Sequence, residues 1–222
     1  ITRHLQPIPF DPDKDIVPVS RMTTSWGAFA VHPSVPANTV AEFVTYAKAN
    51  PGKLNYGSAG LATITHLFGE MLCLEAGIKM IHVPYRGSAP ATNALLAGEI
   101  QAQFDQTTLP HIKAGKLKAL AMLAEVRHPD FPDVPTLQET GYGKEGGESW
   151  FGILAPAGTS PDAIARLDKA IADALRAPDI VEKVHNGGMR VTYLDPSDFK
   201  ARIAGESRMF AGIIKKGDIK LP

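Results

Sequence analysis

The feature that most constrains this fold is a unit that occurs twice in close succession. A short strand runs into a loop of small residues, and the loop opens a helix that a glycine stops. The first copy is Leu54-Asn55-Tyr56, then Gly57-Ser58-Ala59-Gly60, then a helix from Thr63 to Ala76 ended by Gly77. The second is a strand from Met80 to Val83, the loop Pro84-Tyr85-Arg86-Gly87-Ser88, and a helix from Ala89 to Ala97 ended by Gly98. Strands over Ile100–Phe104, leading into Asp105, and over Leu117–Leu123 continue the alternation. Strands joined by helical crossovers pair in parallel. The pattern predicts an α/β chain on a largely parallel sheet.

The flanks are consistent with that class. Ala28–Val31 reads as a strand closed by His32-Pro33. Asn38 or Thr39 then caps a helix whose apolar face is Val40, Phe43, Val44 and Ala47. Residues 1–24, with Pro7, Pro9, Pro12 and Pro18, can hold little regular helix. The stretch from Arg127 to Gly147 is irregular, with one short helix near Thr136–Thr140. Trp150–Leu154 is another strand, and Ser160-Pro161-Asp162 is a helix start with the stripe Ile164, Leu167, Ile171, Ala174 and Leu175. A helix from Pro178 to Gly187-Gly188, a strand over Arg190–Leu194 and a last helix opened by Asp195-Pro196 complete the chain.

Charge and cysteine content remove several function classes. Lys+Arg and Asp+Glu are 23 each, so the formal charge is zero. Nucleic-acid binding needs a basic surplus to displace counterions, so no nucleic-acid partner is expected. The single Cys73 excludes an internal disulfide and a cysteine-based zinc site. It reads as an inert, buried hydrophobe between Leu72 and Leu74. The seven histidines are scattered, with His66 inside a helix and His82 inside a strand, and each reads as structural. No metal and no cofactor is called for.

The two small-residue loops are the candidate site. In parallel sheets such loops share the rim at the carboxyl ends of the strands, where ligands bind. Small residues admit backbone N–H groups to a ligand, and a helix N-terminus prefers an anion. Ser58, Ala59 and Gly60 form the first loop, Arg86 and Gly87 the second, and Asp105 ends a strand on the same rim. Arg86 is suited to a bidentate carboxylate contact. Ser58 lacks the nucleophile elbow of a hydrolase, because Tyr56 stands where that turn requires glycine.

Longer motifs then carry a resemblance. Pro33-Ser34-Val35-Pro36, the run from Ala49 through Gly60, Thr63 and His66-Leu67 resemble the Bug family, the periplasmic substrate-binding proteins of tripartite tricarboxylate transporters. So do His82-Val83-Pro84-Tyr85-Arg86-Gly87, Phe104-Asp105, the run from Pro110 to Leu117, Phe131 to Thr136, and Trp150 to Thr159.

The resemblance implies a two-lobed, type II (Venus-flytrap) periplasmic-binding-protein architecture with a carboxylate-bearing ligand in the cleft. Residues 1–25 and 150–222 would belong to an incomplete first lobe, and 26–149 to a complete second one. It implies no catalysis, but capture of a small organic anion in the periplasm and delivery to membrane permease subunits. The anion would be a di- or tricarboxylate, an acidic amino acid or an aromatic carboxylate. By the same likeness Ser58, Ala59, Gly60 and Thr63 would hold a ligand carboxylate, with Arg86, Gly87 and Asp105 lining the cleft. Two departures stand out. The family often has Gly-Thr after its Ser-Ala-Gly loop, whereas here Leu61-Ala62 precedes Thr63, which bears on pocket size and ligand choice. The family's usual opening strand and Pro/Gly-rich loop have no match, so about the first quarter of a ~300-residue protein is expected to be missing. The competing class is an α/β hydrolase-like enzyme using Ser58.

Overall fold

The structure is a computed structural model that describes residues 1–143 and 148–220. Its strands and helices run β1 (Ile16–Ser25), β2 (Ala28–Val31), α1 (Val40–Ala49), β3 (Asn55–Ser58), α2 (Ile64–Ala76), β4 (Ile81–Pro84), α3 (Ser88–Leu96), β5 (Ala102–Asp105), α4 (Leu109–Lys113) and β6 (Lys118–Met122). β7 (Trp150–Pro156), α5 (Pro161–Ala174), α6 (Pro178–Asn186), β8 (Met189–Leu194) and α7 (Pro196–Lys216) follow. The stretch expected to be irregular reads so as far as Gly143, with a 3-10 turn at Gln138–Thr140, and its residues 144–147 lie outside the described ones.

The chain divides into two compact units. One is Trp26–Glu148 together with the chain from Phe210 onward, and the other is Thr2–Ser25 with Ser149–Met209. This division falls within α7, whereas the expectation kept 150–222 together. The last turns of α7 carry buried Phe210, Ile213 and Ile214, and they group with residues 26–148 instead.

The larger unit is built on a five-stranded sheet of order β4-β3-β5-β2-β6. β3 pairs in parallel with β4 and β5, as the strand–loop–helix units require. β2 runs antiparallel between β5 and β6, so the sheet is mixed where a largely parallel one was expected. The reason is local. No crossover helix precedes β2, so it enters at the rim where β5 and β6 end, and Ala28 stands opposite Asp105 and Met122.

Aromatic rings fill the core. Phe29 stacks on Phe104 at 4.5 Å and meets Phe43 edge-on at 4.9 Å, and all three are fully buried. Each such side chain contributes about 1.5–3 kcal/mol by leaving water. Phe43 arrives there because Thr39 caps α1, accepting the Glu42 N–H and fixing which face turns inward. The buried face is Val40, Phe43, Val44 and Ala47, as the spacing predicts.

The smaller unit holds an antiparallel sheet of order β7-β1-β8. Its central strand β1 lies in the Pro-rich opening, where no strand was expected. Pro18 is accommodated because the pairing with β7 shifts register between Pro18 and Ser20, so its missing N–H falls at an irregularity. Buried Ser20 donates to Asp168 on α5, and Tyr193 of β8 donates to the same carboxylate, which ties helix to sheet. Among the described residues no helix is long and apolar enough to cross a membrane.

Candidate ligand-binding site

The ends of β3 and β4 bring the two loops together. Tyr85 N–H donates to the Ser58 carbonyl and Gly87 N–H to the Ala59 carbonyl, both at 3.1 Å. The second loop is thus strapped along the first. Gly60 (φ 144°) and Gly87 (φ 113°) lie in the region that disfavours side chains.

Each loop delivers a helix N-terminus to this rim. Thr63 precedes α2 and Gly87 precedes α3, and neither residue's side chain caps its helix. The opening N–H groups of a helix have no partner within it and carry the positive end of its dipole. Two such ends side by side favour an anion, each by about 0.3–1 kcal/mol, or ~2 where partly buried.

The expected site residues divide into two kinds. Ala59, Gly60 and Gly87 are partly exposed backbone positions, and Arg86 is exposed beside them. Ser58 and Thr63 instead turn inward to build the loop. Fully buried Ser58 donates its hydroxyl to the Gly60 carbonyl at 2.9 Å and accepts the Gly60 N–H at 3.2 Å. Thr63 Oγ1 donates to the same carbonyl at 2.7 Å. Thr65 accepts the Ala59 N–H at 2.9 Å.

Asp105 is also engaged. It is 4% exposed, and its carboxylate accepts from Ser88 Oγ at 2.6 Å and from the Thr107 N–H and hydroxyl, both at 2.9 Å. It joins the start of α3 to the end of β5. Its partner Ser88, at the start of α3, was not among the expected site residues.

A second omission lies beneath the first loop. His82 Nε2 and Ser58 Oγ are 2.6 Å apart. His66 Nδ1 accepts the Ala62 N–H at 3.0 Å. Burial pulls both histidines down to about 4, with the His66 charge a further cause at His82. Tyr56 donates to Glu70 at 2.6 Å, and burial pushes its phenol far up. Parallel pairing sets Tyr56 beside His82, and α2 lays His66 and Glu70, four residues apart, against them. The contacts between strand and helix therefore leave no sequence spacing to signal them.

The Ser58–His82 contact has the length of a nucleophile–base pair. A nucleophile, however, must reach a carbonyl carbon, and Ser58 is fully buried with its oxygen bound by Gly60. The hydrolase reading therefore lacks an accessible attacking group. Among the described residues no group of three or more His, Cys, Asp or Glu could hold a metal ion.

Comparison with known proteins gives a consistent result. Residues 2–219 match the sequence profile of the tripartite tricarboxylate transporter family receptor. BugT of Bordetella pertussis is 32% identical over 216 residues, covering 96% of this chain and 66% of that protein. The chain spans 55%, 64% and 66% of the length of three curated relatives. The solved structure of R. palustris Rpa4515 with adipate superposes with a TM-score of 0.83 at 27% identity, over 98% of this chain and 74% of that one. MatC from Rhodopseudomonas palustris with bound malate gives 0.77 at 26% identity, over 95% and 74%. The α/β architecture is thus that of periplasmic binding proteins.

Proposed function

Because this chain belongs to the tripartite tricarboxylate transporter receptor family, we propose that it is a periplasmic solute-binding protein. It captures a small carboxylate-bearing anion and hands it to membrane permease subunits. The observation that carries the reading is the strap from Gly87 N–H to the Ala59 carbonyl, which sets two helix N-termini side by side on one rim. Gly60, whose own N–H and carbonyl are engaged within the loop, leaves the rim free of a side chain, and exposed Arg86, adjacent to Gly87, supplies a full charge to the second loop. Ser58, Thr63 and Asp105 act indirectly, by holding Gly60, Ser88 and Thr107 in place. Adipate and malate in two similar proteins support a dicarboxylate as the first class to try, ahead of tricarboxylates, acidic amino acids and aromatic carboxylates.

Titration calorimetry against adipate, malate, citrate, glutamate and benzoate tests this. At least one should bind without being consumed. Gly60→Val should abolish that binding, because a branched side chain is strained at φ 144° and covers the backbone. Arg86→Ala should weaken it at least tenfold, as loss of a charge-assisted hydrogen bond costs about 1.5–3 kcal/mol. Unchanged binding in Gly60→Val would move the site elsewhere.

A further inference from the structure

The imidazoles of His66 and His82 lie face to face, with centroids 3.7 Å apart and planes within 9° of parallel. Each ring touches a different end of the loop. His82 holds Ser58, where the loop leaves β3, and His66 holds Ala62, just before α2 begins. Ala62 sits at φ 62°, a left-handed conformation that an L-residue keeps only where its surroundings fix it. The Ala62 N–H supplies that fixing contact. Because His66 Nδ1 accepts this bond, its proton must be on Nε2, which faces Glu70 Oε1 at 3.7 Å.

Given that this loop is the anion site, we infer that His66 and His82 are positioning residues. As a neutral stacked pair they hold Ser58–Thr63 in its binding conformation, and protonation of the pair releases it. A charged His66 carries N–H on both nitrogens, so Nδ1 would confront the Ala62 N–H donor to donor. A charge on His82 would lie 3.7 Å above the His66 ring in a buried setting.

Among the described residues, few groups face the pair. From β3 come Tyr56 and Ser58, and α2 contributes Glu70 and, beside it, Cys73. The chain at Gly217 approaches the far oxygen of Glu70. Glu70 favours a protonated His66, but it already accepts from Tyr56, and burial outweighs it. The pair is therefore neutral near pH 7 and charges only in acid.

The test combines substitution with a readout of the loop itself. In His66→Asn the amide oxygen can still accept the Ala62 N–H, but the side chain does not titrate. His66→Leu can do neither. At pH 7.5 His66→Leu should bind adipate at least tenfold more weakly than wild type, and His66→Asn should recover most of the loss. Equal binding by wild type and His66→Leu, or no recovery in His66→Asn, would overturn the positioning role. Hydrogen exchange at Ala62 gives an independent measure that needs no ligand. Its protection should be constant from pH 8 to 6 and fall toward pH 4 in wild type, stay flat in His66→Asn, and be low throughout in His66→Leu. Protection that is insensitive both to pH and to His66→Leu would sink the latch. If this pattern appears but adipate does not bind wild type, the latch stands and the assignment of the loop to that anion fails.

Discussion

The ring of Tyr56 lies directly against the backbone of α2 at Gly69, so that a methyl carbon there would fall 2.2 Å from Tyr56 Cε2. The strand residue and the helix glycine are fitted to each other. Tyr56 is fully buried and its hydroxyl is bonded to Glu70, so the ring has little freedom to retreat.

Gly69→Ala should therefore destabilise the protein, although alanine is the better helix former by about 1 kcal/mol. Overpacking of this kind costs about 1–3 kcal/mol, and the ring must also move away from Glu70. The expected net loss is about 1–2 kcal/mol in urea unfolding. A gain in stability would mean that the ring swings clear.

Ala62→Gly should act in the opposite sense. Left-handed backbone costs an L-residue about 1–2 kcal/mol, and glycine avoids this while losing more freedom on folding, about 0.5–1 kcal/mol. The expected gain is about 0.5–1 kcal/mol by the same measurement. A loss above ~1 kcal/mol would show that Ala62 makes contacts worth more than its strain.

Stability should depend on pH through His66 and His82. Both fall from an ordinary 6.5 to about 4 in the folded protein. Between those values the unfolded chain binds more protons than the folded one. The contribution of the pair is fully present above pH 6.5 and is lost as pH falls toward 4. Melting temperature should thus be level above about pH 7 and decline below 6, with a shallower decline in the double variant His66→Asn, His82→Gln. Identical slopes in the two proteins would assign the acid sensitivity to other groups.

Cys73 should label slowly in the native protein. Burial, and then the Glu70 charge, push its thiol up to about 12, so little thiolate exists at pH 8. Labelling by a thiol reagent should speed up by orders of magnitude in denaturant. Cys73 is half-buried rather than fully buried as the sequence suggested. A native rate near that of a free thiol would show that its remaining cover does not keep the reagent out.

Sequence determined what is set by neighbours along the chain. Thr39, Ser160 and Gly77 mark helix ends because capping groups and left-handed glycines act within a few residues. The loops at Ser58–Gly60 and Arg86–Gly87 were legible for the same reason, since a strand, a small-residue turn and a helix start are contiguous. Tertiary structure decided the rest. β1 could not be read through Pro18, because only the register of β7 puts that proline at an irregularity. The reversed β2 and the grouping of Phe210 onward with residues 26–148 depend on pairing and burial between distant segments. So do the inward turn of Ser58 and the stack of His66 on His82, which need both the parallel pairing of Tyr56 with His82 and the packing of α2, carrying His66, against these strands. Hydrogen bonds across a few residues leave a local signature, whereas side chains brought together by strand register leave none until the sheet has formed.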